Sequence, residues 1–456
     1  MIGKERLKEI ILSNREFILN QIGRIIKREN IILPEKLNKV VILYGVRRSG
    51  KTFVLFDLFK KYRNESLYID FEDERLIDFE PSDFEFLKEA FLELNPHLLN
   101  KRKLFLFDEI QNVKGWERFC RRIVETENIN VFVTGSSSKI MPLEIHTSLR
   151  GRAWSIRTAP FSFREYLSAK DVHIDRDFVY GSKKIFVKSH ISEYMKWGGF
   201  PEIAFLKEEF ERNKVIKEYL SSMFFKDLVE RFNMNNIHLL DALIDRLFSS
   251  FSQKFSLTAF YKQYKDKFPF SKDTLFGYYK HFLESMLIFE ARKFTESTYK
   301  RLRNPAKIYV VDSGLARRVG SGDLGRLLEN IVFLELERSA EEVFYFEETK
   351  ECDFVVSQDG KFSLYQVSFE LTEENTEREI KGLISACKWL NKKAGMLLTY
   401  DQQKEMKKEG VEIRIVPVWK WLLKKRGQAT FLQTRAFMNP PFREDSRKRG
   451  PQTRKN

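Results

Sequence analysis

The sequence predicts an α/β fold: a parallel sheet wrapped by helices, with a helical segment and further mixed units behind it. Three observations carry this expectation. Apolar runs at Val40–Tyr44, Ser66–Phe71, Lys103–Phe107, Asn130–Thr134 and Ala153–Arg157 alternate with helical stretches, the pattern of parallel strands joined by crossover helices. The first run leads into Gly45-Val46-Arg47-Arg48-Ser49-Gly50-Lys51-Thr52, a full GxxxxGK[ST] loop, and an amphipathic helical run, Phe53–Tyr62, follows. The third run ends in the carboxylates Asp108 and Glu109.

Ahead of the sheet, Glu5–Arg28 repeats Leu7, Ile10, Ile11, Phe17, Ile18 and Ile22 on one helical side. Pro34 separates this N-terminal helical segment, 1–35, from the core at 36–160. In the core, the strand–loop–helix context makes the glycine-rich loop a phosphate cradle. Glycines admit close backbone approach, and the N–H groups at a helix N-terminus attract the anion. All eight loop residues, Gly45 to Thr52, are therefore expected to bind ATP, with Lys51 reaching the β- and γ-phosphates. The Thr52 hydroxyl and Asp108 would ligate Mg²⁺, and Glu109 would polarise the attacking water. Asn130–Ser138 ends in hydroxyl residues, of which Ser136 or Thr134 would orient that water. Arg150 and Arg152 are candidates for an arginine finger, acting in cis or from a neighbouring subunit of a homo-oligomer.

Segment 161–235 reads as helical, broken at Trp197–Pro201, and suits a lid beside the nucleotide. Segment 236–320 has winged-helix proportions. Leu239–Phe251 is one helix, Ser256 and Ser271 cap two more, and strands Leu287–Lys293 and Lys307–Val311 flank a wing at Thr295–Arg303. Its reading helix would present Lys272, Thr274, Tyr278, Tyr279 and Lys280, and its wing Lys300, Arg301 and Arg303. Segment 321–425 is a separate α/β unit, and 426–456 a basic, disordered tail.

Composition narrows the partners. The 456 residues are 43% hydrophobic and carry a formal net charge of +15, which points to a polyanion such as DNA or RNA. The cysteines Cys120, Cys352 and Cys387 have no metal-ligand spacing. No apolar run reaches the ~18 residues of a membrane span, so the expected setting is the cytoplasm, away from the membrane.

Several motifs occur in a fixed order: GVRRSGKT, YIDFED (Tyr68–Asp73), LFLFDEIQNVKGWE (Leu104–Glu117), VTGSSS (Val133–Ser138), LRGR with PFSFREYL (Leu149–Leu167), GGFPE (Gly198–Glu202), NPAKIY (Asn304–Tyr309) and VDSGL (Val311–Leu315). As a set the chain resembles the archaeal and bacterial ATPases that join an AAA-type P-loop domain to a C-terminal domain of unknown function. The resemblance implies that the C-terminal unit is a restriction-nuclease-like fold of the PD-(D/E)xK type. That pattern is a helical Glu, a strand Asp and a Glu-x-Lys on the next strand. Glu329 and Asp353 match it, whereas Gln366 stands at the third carboxylate and Ser368 at the lysine. Gln brings no charge and Ser no ammonium. The expectation is thus a Mg²⁺-dependent, AAA-type ATPase coupled to a nucleic-acid transaction, with a nuclease-like unit that does not cleave efficiently. The alternatives are a slow nucleotide-dependent regulatory switch and an ATP-dependent nuclease.

Overall fold

The inner apolar runs fold as strands covered on both faces, whereas the last, at the sheet edge, leaves Trp154 exposed. The computed structural model describes residues 2–29, 31, 38–136, 147–174, 181–295, 297, 301, 303–319 and 322–424. Pro34, Ser137, Ser138, Lys300 and the tail at 426–456 lie outside the described residues. Strands β1 (Val40–Gly45), β2 (Ser66–Asp70), β3 (Lys103–Asp108), β4 (Ile129–Ser136) and β5 (Ala153–Arg157) form one sheet in the order β2-β3-β4-β1-β5. Every pairing in it is parallel. All six residues of β3 are buried, as a parallel sheet with helices on both faces requires. The covering helix Trp116–Thr126 buries Trp116, Phe119, Cys120, Ile123 and Val124 and turns its charges outward, an apolar stripe at helical spacing.

The N-terminal helix Lys4–Gln21 packs Leu7, Ile10 and Ile11 into the cluster that holds Leu67 and Phe91. Phe17, expected on its buried side, is 53% exposed and touches only the edge of the Phe56 ring. Parallel strands bring their C-termini to one edge, so Gly45, Asp70, Asp108 and Ser136 end side by side.

Helices Phe163–Ala169, Gly181–Trp197, Pro201–Phe205 and Glu209–Phe224 follow, the last running into a π-helical turn, Phe225–Glu230. Next come helix Ile237–Ser249, β6 (Gln253–Phe255), helices Leu257–Tyr264 and Lys272–Glu284, β7 (Ile288–Lys293) and β8 (Ala306–Val310). Ser256 and Ser271 accept from the amides of Ala259 and Thr274, satisfying one otherwise unpaired donor per helix start.

Two sequence expectations fail here. Tyr278 and Tyr279 do not present themselves for reading: both are buried. The Tyr278 hydroxyl accepts from Asn236 N at 2.9 Å, and the Tyr279 hydroxyl donates to Glu290 at 2.5 Å. Wing residue Arg301 is tied down as well, donating to the Thr295 carbonyl and lying over the Phe344 ring.

The C-terminal part adds helices Ser313–Val319 and Leu324–Glu337, β9 (Glu342–Glu347), β10 (Glu351–Gln358), β11 (Lys361–Val367), helix Glu373–Trp389, β12 (Ala394–Thr399), β13 (Lys404–Lys408), β14 (Val411–Pro417) and helix Val418–Leu422. It is not separate from what precedes it. Lys293 of β7 pairs in parallel with Tyr345 of β9, giving one nine-stranded sheet, β13-β14-β12-β11-β10-β9-β7-β8-β6. One apolar cluster likewise runs from Phe163 through Phe282 to Phe354 and Trp419.

The GGFPE and VDSGL motifs meet where the helical segment 161–235 joins this body. Asp312 is buried and accepts from the amides of Gly199, Gly314 and Leu315 at 2.6, 2.9 and 3.4 Å. A Cβ on Gly198, whose φ is +78°, would sit 1.9 Å from the Asp312 carboxylate. Burial pushes the Asp312 carboxyl up to about 6 against the amides that pull it down. A carboxyl so raised binds its proton more tightly in the folded chain. Its stabilising contribution is therefore full below the ordinary 3.8 and is lost as pH rises through about 6. Asp312→Ala orphans three amides and is expected to cost about 3 kcal/mol. Urea unfolding near pH 5 and near pH 7 checks both points: the wild-type advantage should be larger at the lower pH. No helix among the described residues is long and apolar enough to cross a membrane.

Candidate functional site

The phosphate loop forms where the sequence places it, at the C-terminal edge of β1. Gly45 lies so close to the next strand's exit that a Cβ there would meet the Thr158 carbonyl at 2.1 Å, and Gly50 has a φ of +91°. Both positions therefore need glycine. Helix Lys51–Lys61 starts immediately afterwards, and no side chain caps its first amides, which leaves donors for an anion. Ser49 Oγ is fully buried and has no hydrogen-bond partner among the described residues. Lys51 is buried too and curls over the loop, its Nζ donating to the carbonyls of Gly45 and Val46 at 3.1 and 3.2 Å. Burial lowers its amine's proton affinity, while Glu109, Asp108 and Asp227 oppose that shift.

Asp108 ends β3 two strands away. The Tyr68 hydroxyl donates to its carboxylate at 3.0 Å, the Thr134 hydroxyl donates as well, and Thr52 faces it. Burial and the neighbouring Glu109 push the Asp108 carboxyl upward, and these hydroxyls hold it down. Glu109 has a φ of +47°, unusual for a side chain of its size. Its amide donates to Thr134 Oγ1 at 3.2 Å, and its carboxylate accepts from Gln111 at 2.5 Å. Thr134 thus bridges Asp108 and Glu109. Ser136 ends β4 beside Gly45. Asp70, opposite Asp108 on β2, has its carboxyl pushed up to about 7, chiefly by burial and further by Asp108. The Asp108 carboxylate and the Thr52 hydroxyl that faces it are oxygen donors of the kind Mg²⁺ takes.

The two arginine-finger candidates lie elsewhere. Arg152 precedes β5, its carbonyl accepts from Val40 N at 2.8 Å, and its side chain pairs with Glu125. Arg150 is exposed, its amide donating to the Thr147 carbonyl. Val40 and Ala153 are register partners at the start of their strands. Both arginines therefore sit at the edge opposite the loop, ~16 Å away along β1 at ~3.3 Å per residue. Neither arginine lies beside the loop of its own chain.

The helical segment after β5 and the N-terminal segment supply contacts that the sequence did not disclose. Arg47 Nε lies 3.3 Å from Asp227 of the π-helical turn. Arg48 lies 3.6 Å from Glu202 and over the Tyr219 ring. Arg28 donates to the Ser49 and Ala159 carbonyls, at 3.0 and 2.5 Å, and pairs with the buried Glu165.

The second candidate site is filled by the chain itself. Glu329 and Asp353 do converge, together with Glu351, but the centre of the cluster is Lys307 of β8. Its Nζ lies 3.2 Å from Glu329, 2.7 Å from Glu351 and 2.9 Å from Asp353. Lys307 is buried. Burial alone would strip its proton, but Asp353 and Glu329 hold the ammonium charged. Gln366 is engaged beside the cluster: its Oε1 accepts from Asp353 N at 3.2 Å, and its Nε2 donates to Glu379 at 2.6 Å. Ser368 donates to the Glu370 carbonyl. The β9–β10 register shifts between Cys352 and Val355, a bulge that re-aims Asp353 toward Lys307. Among the described residues, no group of acidic, histidine or cysteine side chains could hold a metal ion. Lys307→Met would leave the buried Glu329 and Asp353 without their ammonium, while Glu351 keeps Lys254 at 2.7 Å, an expected loss of about 3–5 kcal/mol. Urea denaturation measures it, and a loss below about 1 kcal/mol would mean that the cluster is no anchor.

Comparison with known proteins identifies three stretches of the chain. Residues 37–167 match the family described as AAA domain. Residues 188–325 and 324–421 match two families, each described as a domain of unknown function (DUF8612 and DUF4143). The fold and loop thus define an AAA-type P-loop protein. The chain is 36% identical over 441 residues to an uncharacterized protein of Methanocaldococcus jannaschii, covering 93% of this chain and 96% of that one, and it belongs to that protein's family. An uncharacterized Haemophilus influenzae protein is 28% identical, over 78% of this chain and 89% of that one. Similar solved structures include a Walker-type ATPase of Pyrococcus abyssi, at 14% identity, a TM-score of 0.39, and 68% and 95% coverage of this chain and that one. Another is the Aeropyrum pernix Orc1 protein in complex with DNA, at 12%, 0.25, and 66% and 90%.

Proposed function

We propose that the N-terminal half binds ATP with Mg²⁺ and hydrolyses it. The observation that carries this reading is the juxtaposition of an uncapped helix N-terminus behind the glycine loop with the buried Asp108 and the held Glu109. Gly45 to Thr52 would wrap the phosphates, with Lys51 supplying positive charge to the β- and γ-phosphates. Thr52 and Asp108 would hold Mg²⁺, which when bound neutralises charge on the phosphate oxygens. Glu109 would take the proton from water, its position fixed by Thr134 and Gln111. Ser136, at the strand tip beside Gly45, or Thr134 would orient that water. Arg150 and Arg152 would serve a neighbouring subunit's nucleotide, so the working form is a homo-oligomer. ATP binding and phosphate release by this chain, which we place in the cytoplasm, with Lys51→Ala as control, test the reading.

The output we propose is a nucleic-acid transaction. The net charge of +15 supports it, as does the order of helix, strand, two helices and two strands in 236–320, which is that of a winged helix. With both tyrosines buried, the exposed face of helix Lys272–Glu284 retains Lys272 and Lys280 but also Asp273 and Phe276. Contact with phosphates rather than bases suits that face. DNA or RNA binding should fall steeply by ~200 mM salt, because neutralised phosphates release counterions. No binding at low salt would remove the nucleic-acid reading.

The C-terminal unit, with its nuclease-like succession of Glu329, Asp353 and Gln366, would serve as a docking body. Lys307 occupies its carboxylates, so restoring Gln366→Glu and Ser368→Lys should still not yield a nuclease. The slow-switch reading has one observation in its favour: lid carboxylates grip both arginines of the phosphate loop.

A further inference from the structure

We propose that Asp227 is a positioning residue of the lid that holds the phosphate loop's cations in competition with nucleotide phosphates, and so sets how tightly ATP binds. This rests on the P-loop reading above. Asp227 is 3% exposed. A carboxylate so buried needs cations, and the ones that face it are Arg47, at 3.3 Å, then Lys51 and Arg231. Two of these three belong to the loop, and Lys51 is the residue that phosphates require. The lid thus places its own anion against the charge that an incoming anion must use.

The backbone at Asp227 is specialised for this contact. Helix Glu209–Phe224 loosens into the π-helical turn Phe225–Glu230 where it passes the loop, and such turns concentrate at functional sites. A second pair repeats the arrangement one residue along: Arg48 pairs with Glu202, which the Tyr219 hydroxyl also contacts. Pro201, beside Glu202, approaches Gly50, whose added Cβ would lie 3.4 Å from the proline ring. Both acids come from chain well beyond the loop, with Asp227 180 residues from Arg47. They reach it only while the lid lies on it. Phosphate binding and release of the lid's grip are therefore linked through the same cations, and ligand affinity is reduced by whatever the grip is worth.

Asp227→Asn keeps the shape and removes the charge. It should tighten ATP and ADP binding roughly tenfold, the scale of one partly screened charge contact. Adenosine, which lacks phosphates, should be unaffected. Asp227→Glu should stay near wild type. Should Asp227→Asn fail to fold, Glu202→Gln, which relaxes the more exposed Arg48 pair, should tighten ATP roughly twofold, a surface pair's worth. Titration calorimetry on the full chain measures all of these. A merely structural aspartate would weaken binding when replaced. Unchanged or weaker ATP binding by the variant, with wild type still binding ATP, overturns the proposal and leaves the P-loop reading intact. Absence of ATP binding by both overturns the P-loop reading and this proposal with it.

Discussion

Lys51→Ala should abolish measurable ATP binding. The ammonium is buried under the loop and donates to the carbonyls of Gly45 and Val46, so it is both the loop's cation and part of its frame. Truncating one partner of a buried charge contact costs about 3 kcal/mol or more, roughly a hundredfold in affinity. Loss of its two backbone hydrogen bonds should lower folding stability by only about 1–2 kcal/mol. Calorimetric titration with ATP beside a urea melt separates the two effects. A variant that binds like wild type would remove the loop from the nucleotide site.

Glu109→Gln should leave ATP affinity intact while lowering turnover roughly a hundredfold or more, the span of a lost general base. Geometry supports the separation. The backbone amide of residue 109 donates to Thr134 whatever its side chain, and a glutamine carbonyl can still accept from Gln111. Only the proton acceptor disappears. Phosphate release measured beside ATP affinity checks this, and parallel loss of both would make Glu109 a structural residue.

The sheet and its phosphate loop were legible because their signals are local. Each core strand is a continuous apolar run, and the loop's eight residues are contiguous. Strand β13 escaped notice because KEMKK has no apolar alternation, its charges suiting an edge strand. One misreading had a warning in the sequence: Tyr278 and Tyr279 fall with Leu275 and Phe282 on an i, i+3, i+4, i+7 stripe, which marks a buried face. Arg150 and Arg152 precede a parallel strand, so strand polarity sets them at the edge away from their own chain's loop.

Other parts of the sites could not be read in advance. Lys307 is followed by Ile308 and Val310 and looks like the outward residue of an alternating strand, yet both faces of β8 are covered and its ammonium meets acids 22 to 46 residues away. Asp227 carries no local mark, and its role appears only when the lid brings it to Arg47. The unity of the nine-stranded sheet likewise depends on the pairing of β7 with β9, where Arg292 and Lys293 meet Phe344 and Tyr345. No periodicity within either strand announces it.

The most direct test of the central claim is ATP binding and steady-state phosphate release by the full chain, with Mg²⁺ present and with Mg²⁺ chelated. The expected result is ATP binding and Mg²⁺-dependent phosphate release, with Thr52 and Asp108 holding the ion beside Glu109. Failure of the wild-type chain to bind ATP in the presence of Mg²⁺, while folded by its urea melt, would contradict the assignment of Gly45 to Thr52 as a nucleotide site.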